Sequence, residues 1–399
     1  MSLPLNLEPK RIEQELRPEA RLLLACARTV VDSSTAQQIR RLLSSESIDW
    51  RYVIEKADQH RIAPLLWRSL NLAGPELIPP EVLKRLRTYA DTIAQYNLYR
   101  TRELLNLVRL FEMHEILVLP FKGPCLSVSA YNNLGLRDYG DLDVLIRPRD
   151  VLRASNLLTA RGYQVVSSSL RRANEPSFSA RNKDLLFDSS DGRVRVELHW
   201  RLSGRHFDFP IDLDEVWASS RRMLLAGKTI RTLEPEDLLL YLCLHGSRHG
   251  WERVLWICDV AELIRVETSV DWPRVRARAT SLGCERTLAL GLRLAQDLLG
   301  TELSPELQQF ANSDPYVETL THRTRQTLFE EGKPGQDIRY WYGIHLKLRE
   351  RLRDRVRLHL HYCRRYLRLA VRLLVGKNAS PGIPRITRMT SGLIRVIRG

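Results

Sequence analysis

The sequence predicts an α+β fold: a small α/β core with a mixed sheet, set between N-terminal and C-terminal helical regions. Three observations carry this. Apolar residues recur at three- and four-residue steps up to about residue 115. Short β-rich runs then alternate with a helix-length stretch, and helical periodicity returns after about residue 233.

In the first region, Trp50, Val53, Ile54 and Ala57 share one helical face, as do Leu98, Leu104, Leu105, Val108 and Phe111. Gly74-Pro75 and Pro79-Pro80 break the run between them. The core reads as strands at 116–121 (ILVLPF), 142–146 (LDVLI), 163–166 (YQVV), 184–187 (DLLF) and 194–200 (VRVELHW). A helix is expected from Pro148 to Gly162, a polar loop over 167–182, and one more strand at KTIRTL. Pro235 with Glu236 and Asp237 then marks a helix start, where a missing N–H is harmless and negative charge is favoured. DVAELIRV and Arg286–Leu299 are further amphipathic segments, and GKPG (332–335) reads as a turn. A long helix from Ile344 to Val375 carries Leu348, Leu352, Val356, Leu360, Cys363, Leu367, Val371 and Leu374 as one stripe. The expected division is 1–115 helical, 116–232 core, 233–375 helical and 376–399 a basic flexible tail.

The 399 residues are 44% hydrophobic and 27% charged, which excludes a disordered, collagen-like or disulfide-stapled chain. At about 150 residues per domain the length fits two or three domains. No apolar run approaches the ~18 residues of a membrane span, and no secretory signal is visible. Six scattered cysteines without a CxxC pair fit buried thiols in a reducing cytoplasm. The net charge of +15 is local: residues 339–399 hold 16 Lys/Arg against Glu350 and Asp354, leaving the remainder at +1. Any argument about an anionic partner therefore concerns that segment first.

Asp141 and Asp143 stand two apart at the head of an apolar strand, so alternation puts both carboxylates on one face. Such a pair repels itself unless cations neutralise it, and hard oxygen ligands at this separation suit Mg²⁺ or Mn²⁺ with substrate phosphates. In VRVELHW, Glu197 faces the same way as Arg195 and His199. If the two strands are neighbours, three carboxylates converge, as two-metal phosphoryl transfer requires.

The succession Lys122-Gly123, Arg137, Asp141-Leu142-Asp143, Glu197-Leu198-His199-Trp200 and the segment from His245 to Asp259 resembles the bacterial nucleotidyltransferase family of the DNA polymerase beta superfamily. The resemblance runs from about Trp50 to about Leu263. It implies that Asp141, Asp143 and Glu197 hold the divalent ions, with Glu197 helping to activate the acceptor hydroxyl. It also implies an NTP substrate such as ATP, transfer of a nucleoside monophosphate to an unknown acceptor, and release of pyrophosphate. The superfamily usually places a Gly-Ser pair about ten residues before the first acid. Here Gly123 lies eighteen before Asp141 and precedes Pro124, so Lys122 and Arg137 are the candidates to bring charge to the phosphates.

His245 and His249 share a helical face, but no Glu follows the first, so the HExxH hydrolase reading fails. Two roles stay open for them: packing with Trp251 and Trp256, or lining the nucleotide cleft. His199 has the same two. Cys125 has no histidine placed to pair with it. In 339–399, Arg349, Arg353 and Arg357 step by four, as do Arg364, Arg368 and Arg372. A solvated face, RNA binding and an anionic membrane surface reached peripherally are the three readings. As a whole, the competitors to a metal-dependent transferase are a non-catalytic nucleotide- or RNA-binding member, an interaction protein built on the basic segment, and a DxD glycosyltransferase. The last would need a βαβ half before the motif, where this chain reads as helical.

Overall fold

The computed structural model describes residues 16–166, 183–204, 209, 211–330 and 338–375, the last with side chains to 367. The expected loop at 167–182, the turn at 332–335 and the tail at 376–399 lie outside the described residues. The chain divides into two compact units, Met1–Leu352 and Arg353–Gly399.

Helices α1 (Pro18–Cys26), α2 (Ser33–Ser45), α3 (Trp50–Gln59), α4 (Ala63–Ala73) and α5 (Pro80–Met113) open the first unit. Asp32 and Asp49 cap two of them by accepting from the Thr35 and Tyr52 amides at 2.7 and 3.1 Å. Pro75 stands just past the end of α4, and Pro79-Pro80 starts α5, where missing N–H groups do no harm. Leu104, Leu105, Val108 and Phe111 are buried, but Leu98 is 59% exposed and lies off their face.

The core holds β1 (Val118–Pro120), α6 (Pro124–Ser129), β2 (Asp141–Ile146), α7 (Val151–Ala160), β3 (Gln164–Val165), β4 (Asp184–Asp188) and β5 (Arg195–His199). The sheet order is β1-β2-β5-β4-β3, and only β2 with β5 is parallel, so the sheet is mixed. Leu142, Val144 and Ile146 alternate into one apolar cluster with Leu104 and Phe111 of α5, Leu158 of α7, and Val196 and Leu198 of β5. Among the described residues only β1 precedes β2, and it runs antiparallel to it.

After α8 (Leu213–Ser219), β6 (Arg221–Leu225) and β7 (Lys228–Thr232) form a hairpin turning at Ala226 and Gly227, both at positive φ. Its Thr232 hydroxyl donates to the Pro120 carbonyl at 2.6 Å. Helices α9 (Pro235–Arg248), α10 (Val254–Val266), α11 (Trp272–Leu282), α12 (Glu285–Leu299), α13 (Pro305–Asn312), α14 (Pro315–Thr327) and α15 (Ile338–Lys347) complete the unit. N-terminal and C-terminal helices share one apolar core, with Leu22, Leu65 and Leu66 packed among Leu239, Ile257 and Leu288. Glu262 of α10 accepts from the Thr29 amide and hydroxyl at 3.0 and 2.7 Å, and the Tyr52 hydroxyl donates to the Phe329 carbonyl at 3.0 Å.

The single helix expected over 344–375 is two: α15 ends at Lys347, and α16 (Leu352–Val375) begins after a break. The expected stripe divides with it. Leu348 is fully buried, whereas Leu352, Val356, Leu360 and Leu367 are 75%, 49%, 49% and 67% exposed. Among the described residues the buried side chains of α16 are Leu358 and Tyr362, on a different face. No described helix is long and apolar enough to cross a membrane. Five cysteines are free and buried, and Cys363 is half-buried.

Candidate functional site

Parallel pairing of β2 with β5 sets Asp143 directly opposite Glu197, Asp141 opposite Arg195, and Leu145 opposite His199. The side chains that alternate outward from the apolar cluster on both strands therefore meet on one face of the sheet. His199 Nε2 lies 3.1 Å from Asp143 Oδ1 and 3.2 Å from Glu197 Oε2. Lys122, at the end of β1, brings Nζ to 3.1 Å from the same Asp143 oxygen. Asp143 and His199 are almost wholly buried, while Asp141 and Glu197 are half-buried and form the edge of the cluster.

The electrostatics separate the two aspartates. Burial opposes ionisation of Asp143, yet Lys122 and the His199 hydrogen bond outweigh it and hold the carboxyl well below its usual range. Asp141 moves the other way, raised by burial and then by the charge of Asp143. Burial also works against the charge of Glu197, but His199 holds its carboxyl below the usual value. Lys122 stays charged despite burial because Asp143 faces it, and its ammonium sits 5.8 Å from the centre of the Tyr241 ring.

Asp143 Oδ2 is buried with no hydrogen-bond partner among the described residues, a costly state for a carboxylate oxygen. Asp143, Glu197 and His199 each offer one ligand atom, all within 4.8 Å of one another. Two carboxylates and an imidazole with an orphaned oxygen among them fit a divalent cation. Asp141 lies outside that tight group but close enough for its charge to couple to Asp143 and Glu197.

The other expected site residues divide. Gly123 has φ +51°, and a Cβ there would come within 3.2 Å of the Asp141 carbonyl, so glycine lets the chain pass close under β2. Arg137 is buried, with Nε 2.7 Å and Nη2 2.8 Å from the two oxygens of Asp259 on α10. Tyr131 adds a third donor to that carboxylate at 2.7 Å. His245 and His249 at the end of α9 lie 4.8 Å apart, and both rings contact Trp256. His245 also stacks on Tyr241. Burial, followed by Arg248 and Lys122, pushes His249 down to about 3, and burial with Lys122 lowers His245 as well, so both rings are neutral. Gly246 makes room for Trp251, whose ring would lie 2.4 Å from a Cβ at that position.

Other cations at the site carry no motif. Lys183 pairs with Asp184 and is pushed down to about 8 by burial and by Arg248. Arg61, between α3 and α4, reaches Gly140, and Arg253 immediately precedes α10. Their distance in sequence from the acids hides them. The family described as "Uncharacterised nucleotidyltransferase" matches residues 46–300, which includes every site residue named here. No curated protein and no solved structure matches the chain.

Proposed function

The chain belongs to the uncharacterised nucleotidyltransferase family, and from that premise we propose that it transfers a nucleoside monophosphate from an NTP to an acceptor nucleophile. The observation that carries the reading is the register of Asp143 with Glu197 across parallel strands, with Asp143 Oδ2 left unpartnered. Asp143, Glu197 and Asp141 would hold Mg²⁺ or Mn²⁺, with His199 bridging the first two acids. Bound divalent ions supply charge neutralisation at the transferring phosphorus and the leaving oxygen.

The residues themselves do the rest. Lys122 keeps Asp143 ionised in a buried setting. Glu197, also held ionised, takes the proton of the acceptor hydroxyl as its oxygen attacks the α-phosphorus. The bond from the α-phosphorus to the bridging oxygen of the β-phosphate breaks, and pyrophosphate leaves with the electron pair. Catalysis of this kind is mostly positioning. The antiparallel β1 before β2 speaks against a DxD glycosyltransferase, which would carry a βαβ half there.

The test is incubation of the full chain with Mg²⁺ or Mn²⁺, each α-labelled NTP and fractionated cell extract as acceptor source. Label transfer and pyrophosphate release are expected, falling at least about 100-fold in Asp143→Asn and Glu197→Gln. Transfer undiminished in both variants refutes the mechanism.

A further inference from the structure

We infer that Arg61 and Arg253 form a clamp for the β- and γ-phosphates of the nucleotide, beside Asp141. The assignment rests on the nucleotidyltransferase reading for the identity of the anion, and on three observations for the clamp itself.

The first is adjacency. The two arginines lie far apart within the family match, yet the chain around them is tied together. The Leu255 amide donates to the His60 carbonyl at 3.3 Å, and the Val254 amide to His60 Nδ1 at 3.4 Å. The α3–α4 junction is thus bound to the first turn of α10, with Arg61 following one partner and Arg253 preceding the other.

The second is aim. The Arg61 guanidinium lies against Gly140, the residue before Asp141; Nη1 and Nη2 are 3.4 and 3.7 Å from where a Cβ on Gly140 would stand. The cationic group therefore sits at the exposed edge of the acid cluster. An NTP with its α-phosphorus at the acids must extend its remaining two phosphates past that edge or the opposite one.

The third is the want of a partner. Arg61 and Arg253 are half-buried, and among the described residues neither side chain has a hydrogen bond or ion pair. Arg278, Arg286 and Arg221 of the same unit pair with Asp237, Asp314 and Glu267, whereas Arg68, Arg201 and Arg248 also lack an ion pair among the described residues, so what sets Arg61 and Arg253 apart is that they stand together beside Asp141. Arg253 only stacks over Trp256, 5.3 Å from the ring centre. Asp138 is near enough for Arg61 to favour its charged form, but makes no ion pair with it. Burial and the neighbouring Arg61 both work against the charge of Arg253. Asp138 acts on both arginines, and Asp141 and Glu252 on Arg253, but among the described residues no carboxylate reaches ion-pair distance of either; a polyanion would supply that contact, and guanidinium suits phosphate oxygens two at a time.

Arg61 itself has φ +57° because it closes the Schellman motif that ends α3, its amide donating to the Asp58 carbonyl at 3.0 Å and the Ile62 amide to the Ala57 carbonyl at 2.9 Å; that conformation costs a side-chain-bearing residue roughly 1–2 kcal/mol, which glycine would avoid.

The test compares full-length wild type with Arg61→Met and Arg253→Met by calorimetric titration of three probes in Mg²⁺: ATP, AMP and inorganic tripolyphosphate. ATP and tripolyphosphate affinity should fall about 10–100-fold in each variant, and AMP affinity should stay within twofold. Arg61→Lys should fall between wild type and Arg61→Met, and Arg61→Gly should lose affinity while gaining thermal stability, which separates the clamp from a folding defect. ATP and tripolyphosphate binding unchanged in both Met variants overturns the clamp and leaves the transferase reading standing. Tripolyphosphate binding that depends on both arginines, in a chain that shows no nucleotidyl transfer, upholds the clamp and removes that reading. Wild type binding neither ATP nor tripolyphosphate overturns the clamp.

Discussion

Replacing Arg137 with Met separates a structural from a phosphate-binding role for the one motif arginine that is wholly buried. In the native chain Asp259 receives two guanidinium N–H groups and the Tyr131 hydroxyl, and is itself 1% exposed. Met fills much of the same volume but leaves the carboxylate with Tyr131 alone. Breaking a buried pair on one side costs about 3–5 kcal/mol, a large share of the 5–15 kcal/mol typical of a whole protein. With a urea dependence near 3 kcal/mol per molar, the unfolding midpoint should drop by roughly 1 M or more. The double variant Arg137→Met/Asp259→Leu should recover most of the loss, because no buried charge is then left unpaired. Urea unfolding followed by circular dichroism reads all three proteins, and titration with ATP reads the site. An unchanged midpoint in Arg137→Met together with weakened ATP binding would refute the reasoning and return Arg137 to the phosphates.

Two further outcomes follow from the geometry. His60 is fully buried, and burial, then Lys56 and Arg253, pushes it down to about 4; the unfolded chain therefore takes up the proton first, near pH 6.5. Stability is intact above that and is lost as pH falls toward 4, by about 3 kcal/mol from this residue. His60→Gln should flatten that part of the urea-midpoint profile between pH 7 and 4.5, and a profile parallel to wild type would contradict it. Gly123→Ala meets both a positive φ and the Asp141 carbonyl at 3.2 Å. It should cost at least about 1–2 kcal/mol by the same unfolding assay, and a neutral effect would mean that the turn is not fixed as described.

Much of the core was legible in the sequence because alternation is a direct imprint of a half-buried strand. LDVLI and VRVELHW announce β2 and β5, and their outward positions announce Asp143, Glu197 and His199. Their meeting was implied by the family resemblance and not by local pattern, because strand order is set by packing among segments that such pattern does not describe. Strand β6 escaped notice since RRMLL buries only Leu225 fully and leaves Leu224 64% exposed. Leu98 and the α16 stripe mark a second limit: periodicity says which residues share a face, not which face is buried. On α16 the buried side chains among the described residues are Leu358 and Tyr362, one of them aromatic and polar-tipped. Arg61 and Arg253 were invisible for a third reason. A lone arginine beside a helix end has no signature until the fold sets two of them together beside Asp141 with no carboxylate in ion-pair contact among the described residues.

The core shared by the first and last helices has a consequence for biosynthesis. The Glu262 carboxylate that Thr29 needs lies 233 residues further along, and the Phe329 carbonyl that Tyr52 needs lies 277 further along. At roughly 5–20 residues per second, a ribosome leaves the leucine-rich face of α1 and α4 uncovered for roughly 10–50 s before its partners emerge. For that interval the nascent chain presents an aggregation-prone surface, and its yield in a cell should depend on holdase chaperones more steeply than its equilibrium stability suggests.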